Sequence, residues 1–125
     1  MKRLPDAEFE IMKVVWDATP PITTATIMET LGQTRGWKAP TVISLMLRLV
    51  ERGFLATEKL GRERTYRPTI ERDAYLQFET GNFMKLYHEN SLAGLVHTLY
   101  DSGSLDAAQL DRLEAWLRER KNAVQ

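Results

Sequence analysis

His88 and His97 are the chain's two histidines and its best candidates for metal or acid–base chemistry, and Asp101 shares a helical face with His97 at i, i+4. A complete zinc site needs three or four ligands, and the sequence offers no third residue at metal spacing. The absence of cysteine excludes disulfides, thiolate metal sites and cysteine nucleophiles together. No serine stands in a nucleophile-elbow context, and the carboxylates are scattered at helical surface spacing. Gly32 to Lys38 contains two glycines and a lysine but lacks the phosphate-loop spacing and the Ser/Thr after Lys, so it reads as a linker with a helix stop. The sequence therefore points to no enzyme, no catalytic residue, no metal ligand set and no cofactor.

Binding chemistry is better represented. Formal net charge is zero, yet residues 1–68 carry 11 Lys/Arg against 8 Asp/Glu, and residues 69–125 carry 6 against 9. From Arg35 to Arg67 the balance is 8 basic to 3 acidic, a local electrostatic footprint of the kind phosphate binding requires. Inside that segment, Thr41, Ser44, Arg48, Glu51 and Arg52 fall on one narrow stripe when projected at 100° per residue. Val42, Ile43, Leu45, Met46, Leu47, Leu49 and Val50 fill the rest, which predicts a helix with a broad buried side. Small hydroxyl residues let a helix approach base edges, and an arginine farther along suits phosphate or guanine.

These residues need a scaffold. Asp6 is placed to cap a first helix carrying Phe9, Met12, Val15 and Trp16 on one face. Trp16 reads as core. Thr23 is a second N-cap, Ile27 and Leu31 share a face, and Gly32 suits the stop. Trp37 is expected to pack at the start of the striped helix, with phosphate contact through its indole N–H as the alternative. Gly53 ends that helix, and Phe54–Leu60 and Arg64–Arg67 read as strands joined through Gly61-Arg62-Glu63. The expected fold is mainly α with a small β-hairpin wing: a winged helix-turn-helix over residues 1–68, followed by a C-terminal helical dimerisation region over 69–125.

The second region is acidic. Tyr75, Phe78, Phe83, Leu86 and Tyr87 suggest a helix from about Glu71 to Glu89, with an interruption near Gly81-Asn82 left open. Leu92, Leu95, Val96 and Leu99 suggest another, and Asp106 with Gln109 resembles a capping box opening a final helix with Leu110, Leu113, Trp116 and Leu117 on its stripe. So few residues cannot bury this much apolar surface alone, which makes a partner subunit the economical expectation. No segment approaches the ~18 consecutive apolar residues of a membrane span, and no signal peptide is recognisable, so a cytoplasmic protein is expected.

Leu4-Pro5-Asp6-Ala7-Glu8-Phe9-Glu10-Ile11-Met12 with Val15-Trp16, Gly36-Trp37, Thr41-Val42, Arg48-Leu49-Val50-Glu51-Arg52-Gly53-Phe54-Leu55, and Gly61-Arg62 with Tyr66-Arg67-Pro68 together resemble the penicillinase repressor (BlaI/MecI) family. The resemblance implies a homodimeric transcriptional repressor that binds palindromic double-stranded operator DNA, commonly controlling β-lactamase or related resistance genes. It places Lys38, Thr41, Ser44 and Arg48 on the recognition helix, Arg62 and Arg64 on the wing, and Leu92, Leu95, Val96, Leu99, Leu113 and Leu117 at the dimer interface. It also implies a sensor metalloprotease as partner. The family's Asn-Phe cleavage pair is replaced here by Thr98-Leu99, although Asn82-Phe83 occurs earlier, and the cysteine-rich tail of copper-responsive relatives is missing. A winged-helix protein-interaction module and a metal-responsive regulator using His88 and His97 are the competing readings.

Overall fold

The computed structural model describes residues 1–124 and divides into two compact units, Met1–Glu79 and Thr80–Gln125. Helix α1 (Asp6–Asp17) starts behind Pro5, whose carbonyl accepts from the Phe9 N–H at 3.0 Å. Asp6 is not the cap expected of it. It occupies the first helical position, where its charge and that of Glu8 complement the positive end of the helix dipole. Helix α2 (Thr24–Ile27) opens with a reciprocal capping box: Thr23 N–H donates to Thr26 Oγ1 at 3.0 Å, and Thr26 N–H donates to Thr23 Oγ1 at 3.4 Å. It continues as a π-helical turn, Met28–Gly32, so Gly32 lies within the helical run rather than stopping it.

Helix α3 (Ala39–Glu51) carries Pro40 in its first turn, where the missing N–H has no intrahelical acceptor to lose. It ends in a Schellman motif. Phe54 N–H bonds to Leu49 C=O at 2.9 Å and Gly53 N–H to Val50 C=O at 3.0 Å, with Gly53 at φ +83°. The chain then enters a two-stranded antiparallel hairpin, β1 (Leu55–Leu60) and β2 (Glu63–Pro68). Leu60 pairs with Glu63, so the turn is the two residues Gly61-Arg62 and Glu63 belongs to the strand, not to the turn. Gly61 at φ +66° supplies the left-handed first position of a type II′ turn, whose twist suits a hairpin. Ile22 adds a single bridge to Tyr66 on the other side of β2.

The core of the first unit joins Ile11, Met12 and Val15 of α1 to Ile27, Leu31, Val42, Leu45, Met46 and Leu49, with Phe54, Leu55 and Tyr66 from the hairpin region. This unit extends past Pro68 because α4 (Arg72–His88) begins within it. Tyr75 is fully buried, its hydroxyl accepts from Leu4 N–H at 2.8 Å, and its ring lies 5.4–6.2 Å from Phe9, Trp16, Phe54 and Phe78. Trp16 donates its indole N–H to Ile70 C=O at 3.0 Å, and Trp37 packs partly buried against the core.

In the second unit α4 runs on to His88 without interruption at Gly81-Asn82. Helix α5 (Leu92–Asp101) is capped by Ser91, whose Oγ accepts from Gly94 N–H at 2.9 Å. Helix α6 (Ala107–Val124) is capped by Asp106, which accepts from Gln109 N–H at 2.8 Å. None of the described side chains from Thr80 onward is buried. Leu95, Val96, Leu99, Leu110, Leu113 and Leu117 are half-buried, whereas Leu86, Tyr87, Leu92 and Tyr100 are exposed. Trp116 lies at the edge of the α6 stripe, half exposed beneath the Arg120 guanidinium.

Candidate nucleic-acid interface

Helix α3 is seated against α1, α2 and β1, which cover one side of it and leave the other open. Val42, Leu45, Met46 and Leu49 point inward. Thr41, Ser44 and Arg48 are exposed and line one shallow depression of about 340 Å³ with Pro40 and Leu45. Lys38 precedes the helix in extended backbone and is exposed beside the first turn. The buried side is narrower than the periodicity suggests, because Ile43 and Leu47 are exposed along with the polar stripe. Neighbouring elements cover only the arc they can reach, and hydropathy does not say where that arc ends.

One ion pair braces this helix from inside. Glu8 on α1 is 1% exposed and accepts from Arg52 Nε at 2.7 Å, at the C-terminal cap of α3. Arg35 is likewise paired with Glu10. Of the eight cations between Arg35 and Arg67, these two are therefore engaged internally. The other six, Lys38, Arg48, Lys59, Arg62, Arg64 and Arg67, form no ion pair among the described residues. Cations left without a countercharge on exposed elements raise the local positive potential that an anion can meet.

The hairpin register brings two of these cations together. Arg62 sits in the turn, and Arg64 lies directly opposite Lys59, with its guanidinium donating to Thr57 Oγ1 at 3.3 Å. Two like charges paired across strands repel, and an external anion removes the repulsion. Lys59 was not among the sequence candidates, since only the register brings it to Arg64. Arg67 pairs with Ala56 and so projects from the opposite face of the hairpin. That face borders a groove of about 590 Å³ against Pro20, Pro21 and Ile22.

Other candidate chemistry stays dispersed. His88 closes α4 with its ring centroid 5.2 Å from that of Phe83 at a tilt of 57°, while His97 is exposed on α5. Among the described residues no three His, Asp or Glu side chains assemble into a group able to hold a metal. No described helix is long and apolar enough to cross a membrane.

Comparison with known proteins gives this geometry a context. The penicillinase repressor family matches residues 4–119. The penicillinase repressor of Bacillus licheniformis is 30% identical over 125 residues, covering 98% of this chain and 97% of its own length. Two solution structures align on about three fifths of the chain. The DNA-binding domain of the repressor BlaI is 36% identical, with a TM-score of 0.51, covering 60% of this chain and 94% of that one. Monomeric Bacillus licheniformis BlaI in complex with the blaP half-operator is 35% identical, with a TM-score of 0.51, covering 59% and 89%.

Proposed function

Because this chain belongs to the penicillinase repressor family, a family of winged-helix regulators rather than enzymes, we propose that it represses transcription by occupying palindromic operator DNA as a homodimer. The regulated genes in this reading are of the β-lactamase type or related resistance functions, and the protein works in the cytoplasm. The observation that carries the reading is that the exposed α3 stripe, with Lys38, Arg48, Lys59, Arg62 and Arg64 free of ion pairs among the described residues, falls in the region similar to a repressor domain bound to its half-operator.

The mechanism follows from the parts. Thr41 and Ser44, in the first turns of α3, meet base edges in the major groove, where the N-terminal residues of a recognition helix do most of the reading. Lys38 and Arg48 bracket them and hold the helix to the phosphates, while Arg62 and Arg64 anchor the wing. Residues 1–68 supply these interactions, and residues 69–125 dimerise through Leu92, Leu95, Val96, Leu99, Leu113 and Leu117. Helices α5 and α6, which leave no described side chain buried, gain a core when a second copy covers them. Two-fold symmetry then sets half-sites about one helical turn apart, or a multiple of it, and the bound dimer blocks RNA polymerase.

A sensor metalloprotease is the partner proposed for induction. Asn82-Phe83 lies inside α4 and Thr98-Leu99 inside α5, so cleavage at either pair requires local unfolding first. The deciding experiment for DNA binding is a salt titration of the full chain on promoter duplex. For every phosphate that the protein no longer neutralises, the slope of log K against log salt falls in magnitude by about 1. Arg48→Ala is expected to weaken binding and flatten that slope, and unchanged affinity and slope would refute the operator reading.

A further inference from the structure

The exposure of Ile43 and Leu47 adds a recognition element that charge alone does not supply. They are 41% and 46% exposed and stand four residues apart, forming an apolar strip one turn long beside the polar stripe. Isolated surface hydrophobics need no explanation, but their position on α3 does. Projected at 100° per residue from Thr41, the buried side chains Leu45, Leu49, Val42 and Met46 centre at about 90°, so the helix faces outward at about 270°. Ser44 falls at about 300° and Leu47 at about 240°, which puts both about 30° from the outward line. Arg48 at about 340° and Ile43 at about 200° flank them symmetrically, and Glu51, the last residue of the helix, lies near the outward line at about 280°.

A surface that docks along the outward line of α3 therefore meets Leu47 as squarely as Ser44. In the DNA major groove the apolar feature of the base edges is the thymine C5-methyl group. Resting on the operator-binding reading above, we infer that Leu47, assisted by Ile43, is a specificity-determining residue that reads thymine methyl groups in each half-site. The hydroxyls and arginines on the other side of the outward line supply hydrogen bonds. The Leu47 strip supplies selection for thymine over cytosine, which presents no methyl at that position.

The test uses the full chain and a binding site selected from a random duplex pool. Each thymine in the selected site is replaced in turn by deoxyuridine, which removes the methyl alone, and affinity is read by fluorescence anisotropy at fixed salt. Burial of one methyl corresponds to about a fourfold loss at one or two positions per half-site. Leu47→Ala or Ile43→Ala is expected to bind the thymine and uracil duplexes alike at those positions while keeping the wild-type salt slope. More than half of each residue is shielded by its neighbours, so truncation lowers stability modestly, and affinities are compared under conditions where circular dichroism shows each variant folded. Tolerance of uracil at every position, or a uracil penalty that persists in both variants, overturns the inference while leaving operator binding intact. Loss of self-association in Leu47→Ala would make the strip a protein contact and also overturn it. Failure of the chain to select any duplex refutes operator binding itself, and this inference with it.

Discussion

Removing Arg52 should damage the first unit more than neutralising its partner Glu8. Glu8 is the one buried charged side chain among the described residues, and its carboxylate accepts from Arg52 Nε at 2.7 Å. Arg52→Ala leaves that carboxylate without its countercharge, and breaking a buried pair in this way costs about 3–5 kcal/mol. The Arg52 side chain is 38% exposed, so its departure lets some water reach Glu8 and holds the loss to about 3 kcal/mol. Glu8→Gln instead leaves the charge on the side that water already reaches, and the amide oxygen still accepts a hydrogen bond, for a loss of about 1 kcal/mol. The gap of roughly 2 kcal/mol is a large share of the roughly 5–15 kcal/mol that stabilises a domain. Urea titration at fixed protein concentration, in a Trp116→Phe background, reads the first unit through Trp16 and Trp37. A loss for Arg52→Ala no larger than that for Glu8→Gln would refute the reasoning.

Tyr75→Phe removes the acceptor of Leu4 N–H and should cost about 1–2 kcal/mol in the same titration. Burial pushes the Tyr75 phenol up to about 12, so its contribution is complete below about pH 10. It is lost at up to about 1.4 kcal/mol per pH unit as pH rises towards 12, because the unfolded chain ionises first; the phenylalanine variant should show a shallower alkaline decline. Gly53→Ala forces a side chain into φ +83° although nothing crowds the new Cβ, so a backbone cost of about 1 kcal/mol is expected by thermal unfolding. Leu99→Asp and Leu113→Asp should shift the chain to monomer in sedimentation and weaken palindromic duplex far more than an isolated half-site.

What the sequence determined was set by short-range physics. Thr23 and Asp106 accept N–H groups of their own first turns, and Gly53 supplies the left-handed residue that closes α3. Each acts within a few residues, so helix order, the hairpin and the exposure of Thr41, Ser44 and Arg48 were legible without the fold. Tertiary structure decided what depends on neighbours remote in the chain. Glu8 reads as one surface carboxylate among several until α3 brings Arg52 to it from 44 residues away. Tyr75 reads as part of the acidic tail until Leu4 donates to its hydroxyl. Lys59 meets Arg64 only once a two-residue turn fixes the register. Ile43 and Leu47 have the same hydropathy as the buried residues beside them, and they remain exposed because α1, α2 and β1 cover only part of the circumference of α3. Periodicity states which side of a helix is apolar; only the packing partners fix how much of that side is covered, and here the uncovered remainder falls on the face proposed to meet DNA.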